Sequence, residues 1–293
     1  STPRARAPLT ILQINDVYDM GTTDQNGPVG GLARVAAYVA QVRSQNPNTF
    51  FISAGDVLSP SVFNAINTGN NPVEGRHMIE ILNQMGLELC IFGNHEFDFD
   101  LAILEHRVQE SKFPWINSNL FELNDKPLLK TAPYFIKEFK NPAGGPSFKI
   151  AFVAVSVGAI RPYLKINTDL DAIKTLVSTV SKKADLVVGI THLNQIRDRE
   201  LVQTIPELKL IMGGHEHEGI LFTESDVTVA KAKSNARSLF DHEITWDGKT
   251  AQITSKEINL DSNHAIDPTI AGLITKWNQM LRQELHALGF NPD

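Results

Sequence analysis

An α/β layered fold is what the order of apolar runs in these 293 residues predicts. Two observations carry it. Short runs rich in Ile, Val, Leu and Phe read as strands, and they alternate with segments whose apolar residues recur at i, i+3, i+4 and i+7. Alternation of that kind lays helices over sheets that are mostly covered on both faces.

Taken in order, Leu9 to Ile14, Thr49 to Ser53, Leu87 to Phe92, Ala151 to Val155, Leu186 to Ile190 and Leu208 to Met212 are the predicted strands. Helical spacing marks Leu32-Val35-Ala36-Val39-Val42, Met78-Ile81-Leu82-Met85, Leu101-Leu104-Val108 and Ile173-Leu176-Val177-Val180. Tyr134 to Ile136 and Phe148 to Ile150 flank the Pro/Gly-rich stretch 141–146 and read as a hairpin. A second hairpin is expected within 232–260, turning at Trp246-Asp247-Gly248-Lys249. From Pro268 onward, Ile270, Leu273, Ile274, Trp277, Leu281, Leu285 and Leu288 form one helical stripe. That stripe covers the chain's own core or meets another domain or chain. Residues 1–8, with two prolines and two arginines, read as a flexible leader.

Composition narrows the function classes. A charged fraction of 20% beside 42% hydrophobic residues is that of a soluble globular chain. No run approaches the roughly 18 apolar residues of a membrane span. A net charge of -6 speaks against a nucleic-acid polymer as partner, though not against a small phosphorylated substrate, because metal ions can reverse the local sign. The single cysteine, Cys90, excludes an intrachain disulfide and sits in an apolar run as a small buried hydrophobe. This suits the cytosol without excluding secretion.

Five polar clusters each follow directly on a strand-like run: Asn15-Asp16-Val17-Tyr18, Gly55-Asp56, Gly93-Asn94-His95-Glu96-Phe97-Asp98, His192, and Gly213-Gly214-His215-Glu216-His217. In open α/β sheets the carboxyl ends of strands line the ligand crevice. Asp, Asn and His collected there suit Mn, Fe, Zn or a similar divalent ion, and the lack of thiolates argues against a zinc-finger site. The glycines allow tight turns that aim the next side chain inward. Two dications beside two carboxylates would leave a local charge of about +2, attract a phosphate dianion, and ionise a bridging water near neutral pH.

These blocks resemble the calcineurin-like metallophosphoesterases. Gly30-Gly31-Leu32-Ala33-Arg34, Gly93 to Asp98, Asn117-Ser118-Asn119 and Gly213 to His217 are similar to the amino-terminal catalytic domain of the 5′-nucleotidase family. The resemblance implies a four-layer αββα sandwich of two facing mixed sheets, with 9–260 as catalytic domain and 261–293 as a linker-like helix. It implies two divalent metal ions, one held by Asp16, Asp56 and His217. The other is held by Asp56, Asn94, His192 and His215, with Asp56 shared. His95, oriented by Asp98, would stabilise the transition state and protonate the leaving group; Asn94 and His95, with Arg34 as a further candidate, would meet substrate. It favours a periplasmic or secreted location and a nucleotide substrate.

Two departures stand out. Where the family has a second metal-binding His in the first block, this chain has Tyr18. It is a phenolate ligand, a hydrogen-bonding neighbour of the site, or a core side chain facing elsewhere, and altered occupancy of the first metal position is expected. The family's nucleoside-binding second domain is also expected to be missing. The favoured activity is phosphomonoester hydrolysis of 5′-nucleotidase type. A cyclic-nucleotide phosphodiesterase, a phosphoprotein phosphatase, and a binding protein with a degenerate metal site are the alternatives. Outside the blocks, Asp19 and Asp24 read as turn or capping residues, Asp100 as a helix cap and Asn119 as a turn residue. Arg161 and Arg197 face phosphate or only water.

Overall fold

Side-chain alternation along Leu9–Ile14 shows how the layers arise. Leu9 and Ile11 join one apolar cluster with Phe50, Phe152 and Met212, while Leu12 and Ile14 join another on the opposite face. The computed structural model describes residues 9–22, 28–141 and 144–291. The leader 1–8, Asp24 and positions 142–143 of the first hairpin turn lie outside the described residues.

In chain order the main strands begin with Leu9–Ile14 (β1), Thr49–Ser53 (β2), Leu89–Ile91 (β3), Trp115–Ile116 (β4), Tyr134–Phe139 (β5) and Phe148–Ser156 (β6). Leu186–His192 (β7), Leu210–Gly213 (β8), Ile220–Glu224 (β9), Val227–Lys231 (β10), Ser238–Trp246 (β11) and Ala251–Asn259 (β12) follow. One six-stranded sheet has the order β12-β11-β1-β2-β3-β4, the other β9-β10-β8-β7-β6-β5. Both are mixed: β1 to β4 run parallel beside an antiparallel β11-β12 hairpin, and β6, β7, β8 and β10 run parallel between antiparallel edges.

Leu32–Gln45 (α1), Arg76–Met85 (α2) and Leu101–Glu110 (α3) cover the first sheet, and Leu170–Val180 (α4) and Gln195–Thr204 (α5) cover the second. Pro268–Ala287 (α6) lies on α1 and α2, with Ile270, Ile274 and Trp277 buried. Leu273, Leu281 and Leu285 pack beside them, so the stripe covers the chain's own core as far as Leu285, while Leu288 is exposed. The four-layer αββα arrangement follows. No helix among the described residues is long and apolar enough to cross a membrane.

β4, β9, β10 and α5 were not anticipated, and one expected strand starts later than its apolar run. α5 carries only Leu201 and Val202 as buried apolar residues, too few for a helical stripe. The strand expected from Leu208 begins at Leu210, because Pro206–Leu208 forms a 3-10 turn and Lys209 adopts a φ of 60°.

The alternation of β1 also puts Gln13 on the face between the sheets, where an unpaired amide would be costly. Its Nε2 donates to the carbonyls of Gly213 (2.9 Å) and Ala230 (3.0 Å) in the other sheet. Its Oε1 accepts from His242 Nε2 (2.8 Å), and His242 Nδ1 accepts from the Ser255 hydroxyl (2.7 Å). Burial pushes the His242 pKa down to about 3, which keeps this ring neutral. The polar bridge ties the sheets together one residue short of the Gly214-His215 turn.

Candidate metal centre

The five blocks converge where β1, β2, β3, β7 and β8 end. Asp16 and Asp56 are buried at the tips of β1 and β2, zipped together by Asp16 N–H to Gly55 O (3.0 Å) and Val17 N–H to Asp56 O (3.0 Å). Asp16, Asp56, His215 and His217 all hold positive φ (54°, 56°, 89° and 65°). Each non-glycine residue in that region costs on the order of 1 kcal/mol or more, and such strain concentrates at functional sites.

Among the described residues, Asp16, Asp56 and His192 form the group of acidic and histidine side chains whose ligand atoms all lie within 4.8 Å of one another. His192 Nε2 is 3.0 Å from Asp56 Oδ2 and 3.1 Å from Asn94 Oδ1, and His215 Nδ1 is 3.1 Å from that same Asn94 oxygen. Donors bonded to one ion at roughly 2.1 Å stand about 3.0–3.4 Å apart. Asp56, Asn94 and His192 are thus spaced as donors to one divalent ion, and His215 reaches this cluster through Asn94. His192 Nδ1 faces the Ala54 carbonyl at 2.7 Å, which can only accept, so Nδ1 carries a proton and Nε2 is the free ligand atom. Burial opposes charge on His192, but the carboxylates of Asp56 and Asp16 outweigh it and raise its pKa to about 9. The same excess of negative charge favours a metal cation. Asp56 is lowered by His192 and by the His95 N–H against its own burial.

Tyr18 stands on the other side of the carboxylates. Its hydroxyl is 3.0 Å from Asp16 Oδ1, 3.1 Å from Asp56 Oδ2 and 2.8 Å from His217 Nε2. Its ring packs edge-on between His95 and His217, with centroids 6.0 and 5.3 Å away. Burial, and then the two carboxylates, push its pKa well above the usual phenol value, so it is a neutral phenol here.

His95 begins a 3-10 turn, His95–Asp98, whose i, i+3 spacing sets the two side chains together. His95 Nδ1 is 2.9 Å from Asp98 Oδ2, and the Ser59 hydroxyl donates to the same oxygen at 2.7 Å. The His95 N–H donates to Asp56 Oδ1 at 2.8 Å.

Sequence reasoning missed the residues that hold this cluster. Glu96, fully buried, accepts backbone N–H bonds from Gly93 (2.8 Å), Asp56 (2.7 Å) and Val57 (3.1 Å), joining the β2 and β3 turns. Burial and the Asp56 charge raise its pKa to about 7, while those N–H groups oppose them. Gly93 must lack a side chain, because a Cβ there would lie 2.2 Å from Asp56 Oδ1. Behind β7 and β8, buried Lys231 Nζ is 2.6 Å from Asp198 Oδ2, and Asp198 Oδ1 accepts from Thr191, the neighbour of His192. Asn235 Oδ1 accepts from the Tyr18 N–H at 2.9 Å. The closest signal was Gly30: a Cβ there would lie 2.8 Å from Asn235 O, so the Gly30-Gly31 motif admits this loop.

Several candidates lie elsewhere. Arg34 is buried at the start of α1, its Nη1 donating to Gly30 O at 3.0 Å. Asp100 occupies the N-cap position of α3 without a capping bond and pairs instead with Arg161 at 3.1 Å. Arg197 bonds Thr168 O and Glu200. Asn119 ties its turn to Ser156, as expected of a turn residue.

The calcineurin-like phosphoesterase family model matches residues 9–219. The trifunctional nucleotide phosphoesterase protein YfkN of Bacillus subtilis is 23% identical over 82% of this chain and 19% of its own length. The 5′-nucleotidase of Mus musculus is 26% identical over 92% of this chain and 52% of its own. The chain thus spans about half the length of the mouse relative and about a fifth of YfkN. Among solved structures, the 5′-nucleotidase precursor of Thermus thermophilus superposes with a TM-score of 0.78 at 18% identity, covering 94% of this chain and 59% of that one.

Proposed function

This chain belongs to the calcineurin-like phosphoesterase family, and we propose that it hydrolyses phosphate monoesters of nucleotides with the help of a divalent metal ion. One observation carries the reading: a seat of Asp56, Asn94, His192 and His215 lies directly beside an oriented His95–Asp98 pair. The names of the relatives, nucleotide phosphoesterase and 5′-nucleotidase, support the substrate class.

When bound, the ion supplies Lewis acidity to the phosphoryl oxygens and lowers the pKa of water. Asp56, Asn94, His192 and His215 would hold it. The chain's own groups do the rest. Asp98 Oδ2 accepts from His95 Nδ1–H, which turns His95 Nε2 outward to carry the proton that a leaving alkoxide needs. The Ser59 hydroxyl fixes that carboxylate, and the His95 N–H on Asp56 fixes the distance between acid and seat.

The test is phosphate release from nucleoside monophosphates, cyclic nucleotides and phosphopeptides with added manganese, metal content being measured on the same sample. Nucleoside monophosphates should be cleaved fastest; no release from any ester sinks the proposal. His95→Ala should lower kcat by about 10²–10⁴, and an unchanged rate would remove His95 as the acid.

A further inference from the structure

The carboxylates of Asp16 and Asp56 face two places an ion could occupy, and the structure equips them differently. On the His192 side, Asp56, His192, Asn94 and His215 form a chain of contacts at 3.0–3.1 Å. On the His217 side, the space between Asp16, Asp56 and His217 already contains the Tyr18 hydroxyl. We propose that this hydroxyl replaces the first of the two metal ions that the family resemblance implies. The chain then holds one divalent ion tightly, in the seat of Asp56, Asn94, His192 and His215. This assignment rests on the metal-dependent reading of the cluster.

Three features of the geometry support it. First, His217 meets the carboxylates across the Tyr18 hydroxyl. It comes 3.6 Å from Asp16 Oδ1, and toward Asp56 the phenol stands between them, 2.8 Å from His217 Nε2 and 3.1 Å from Asp56 Oδ2.

Second, the hydrogen bonds close without an ion. A phenol has one proton to give and lone pairs to accept with. Its proton serves Asp16 Oδ1, and its oxygen accepts from His217 Nε2–H. The remaining Asp16 oxygen takes the Asn15 Nδ2–H (2.7 Å) and the His215 N–H (2.9 Å). Asp16 therefore has donors on both oxygens, and an ion entering there would have to displace the phenol.

Third, Tyr18 is held in place. Asn235 Oδ1 accepts from its backbone N–H, and its ring is wedged between His95 and His217. Moving the hydroxyl aside means breaking these contacts.

The experiment counts ions. Wild type, Tyr18→His and Tyr18→Phe are each saturated with Mn²⁺, dialysed against buffer, and analysed by elemental mass spectrometry, with circular dichroism to check that each is folded. One retained ion is expected in wild type and in Tyr18→Phe, and two in Tyr18→His. Two retained ions in wild type, falling to one in Tyr18→Phe, would make Tyr18 a ligand and overturn the proposal. So would a tyrosinate charge-transfer band on loading with ferric iron. An unchanged single ion in Tyr18→His would show that the phenol does not guard the place. Because the readout is stoichiometry, one ion with no ester hydrolysis would defeat the proposed function and leave this inference standing. Hydrolysis with two ions would do the reverse.

Discussion

His192 and His217 both face the Asp16–Asp56 pair, yet the His192 side chain is fully buried while that of His217 is 48% exposed. The difference runs through everything around them. On the His192 side, Glu96 clamps the β2 and β3 turns, Asp198 and Lys231 brace β7 from behind, and Gln13 pins the Gly213 carbonyl across the sheets. On the His217 side the supports come from one partly buried loop: Ser234 N–H and Arg237 Nη2 on the His217 carbonyl, and Asn235 on Tyr18. A site that must present several donors to one ion needs side chains that cannot relax, and buried, fully satisfied polar networks supply that rigidity. Only one half of this cluster has it.

Removing a brace from the deep half should have the largest effect. Asp198→Ala takes the 2.6 Å partner from the buried Lys231 ammonium, which keeps only the Leu193 carbonyl and, at 3.6 Å, Glu216; breaking a buried ion pair from one side costs up to about 3–5 kcal/mol. Thermal unfolding should fall on the order of 10 °C for a chain of this size. Adding Lys231→Met should recover most of the loss, since no buried charge is then left unpaired. A single variant as stable as wild type would show that the deep half owes nothing to this pair.

A middle-sized effect follows from His242, the far end of the Gln13 bridge. Its folded pKa is depressed to about 3, below the unfolded value of about 6.5. The unfolded chain therefore binds a proton that the folded chain refuses, and stability is lost as pH falls below about 6.5. Between pH 7 and pH 5 the loss from this group is about 2 kcal/mol. Glu96, raised to about 7, works in the opposite direction over that range, but it is common to wild type and His242→Gln and cancels in their difference. Urea melts of both proteins at the two pH values should show the gap between them shrinking by that amount at pH 5. A gap independent of pH would mean that the bridge does not titrate.

The same contrast governs what could be read in the sequence. β1, β2 and the helical stripes were legible because burial on known faces leaves a period, and the turns carrying Asp, Asn and His because each follows an apolar run. The braces leave no such mark. Asn235 lies 217 positions from Tyr18, and Gln13 lies 200 from Gly213, so no spacing rule connects them. Asp198 sits on α5, a helix too polar to show a stripe, and Lys231 ends β10, a strand the apolar pattern did not mark off. Glu96 was visible inside its block but read as part of the acid motif. Its work on four backbone N–H groups, of Asp56, Val57, Leu58 and Gly93, appears only when the turns are folded together. Tyr18 was visible as a departure, and its place between three polar groups needed coordinates.

The smallest expected effect tests the shallow half directly. Asn235→Ala removes the acceptor for the Tyr18 N–H and, at 3.2 Å, for the Asp19 N–H. Both amides belong to a partly exposed turn where water can replace the lost oxygen, so the cost should be about 1 kcal/mol. If the halves are mechanically separate, the released turn lets Tyr18 and His217 move while Asp56, Asn94, His192 and His215 keep their places. Manganese affinity by calorimetry should then stay within about a factor of two of wild type, since no ligand and no brace of the deep seat has changed. Affinity falling about 10–100-fold, the range for a group that orients a metal ligand, would break the comparison. Asn235 would then be bracing the deep seat through Asp16, whose carbonyl accepts the Asn235 N–H at 2.8 Å.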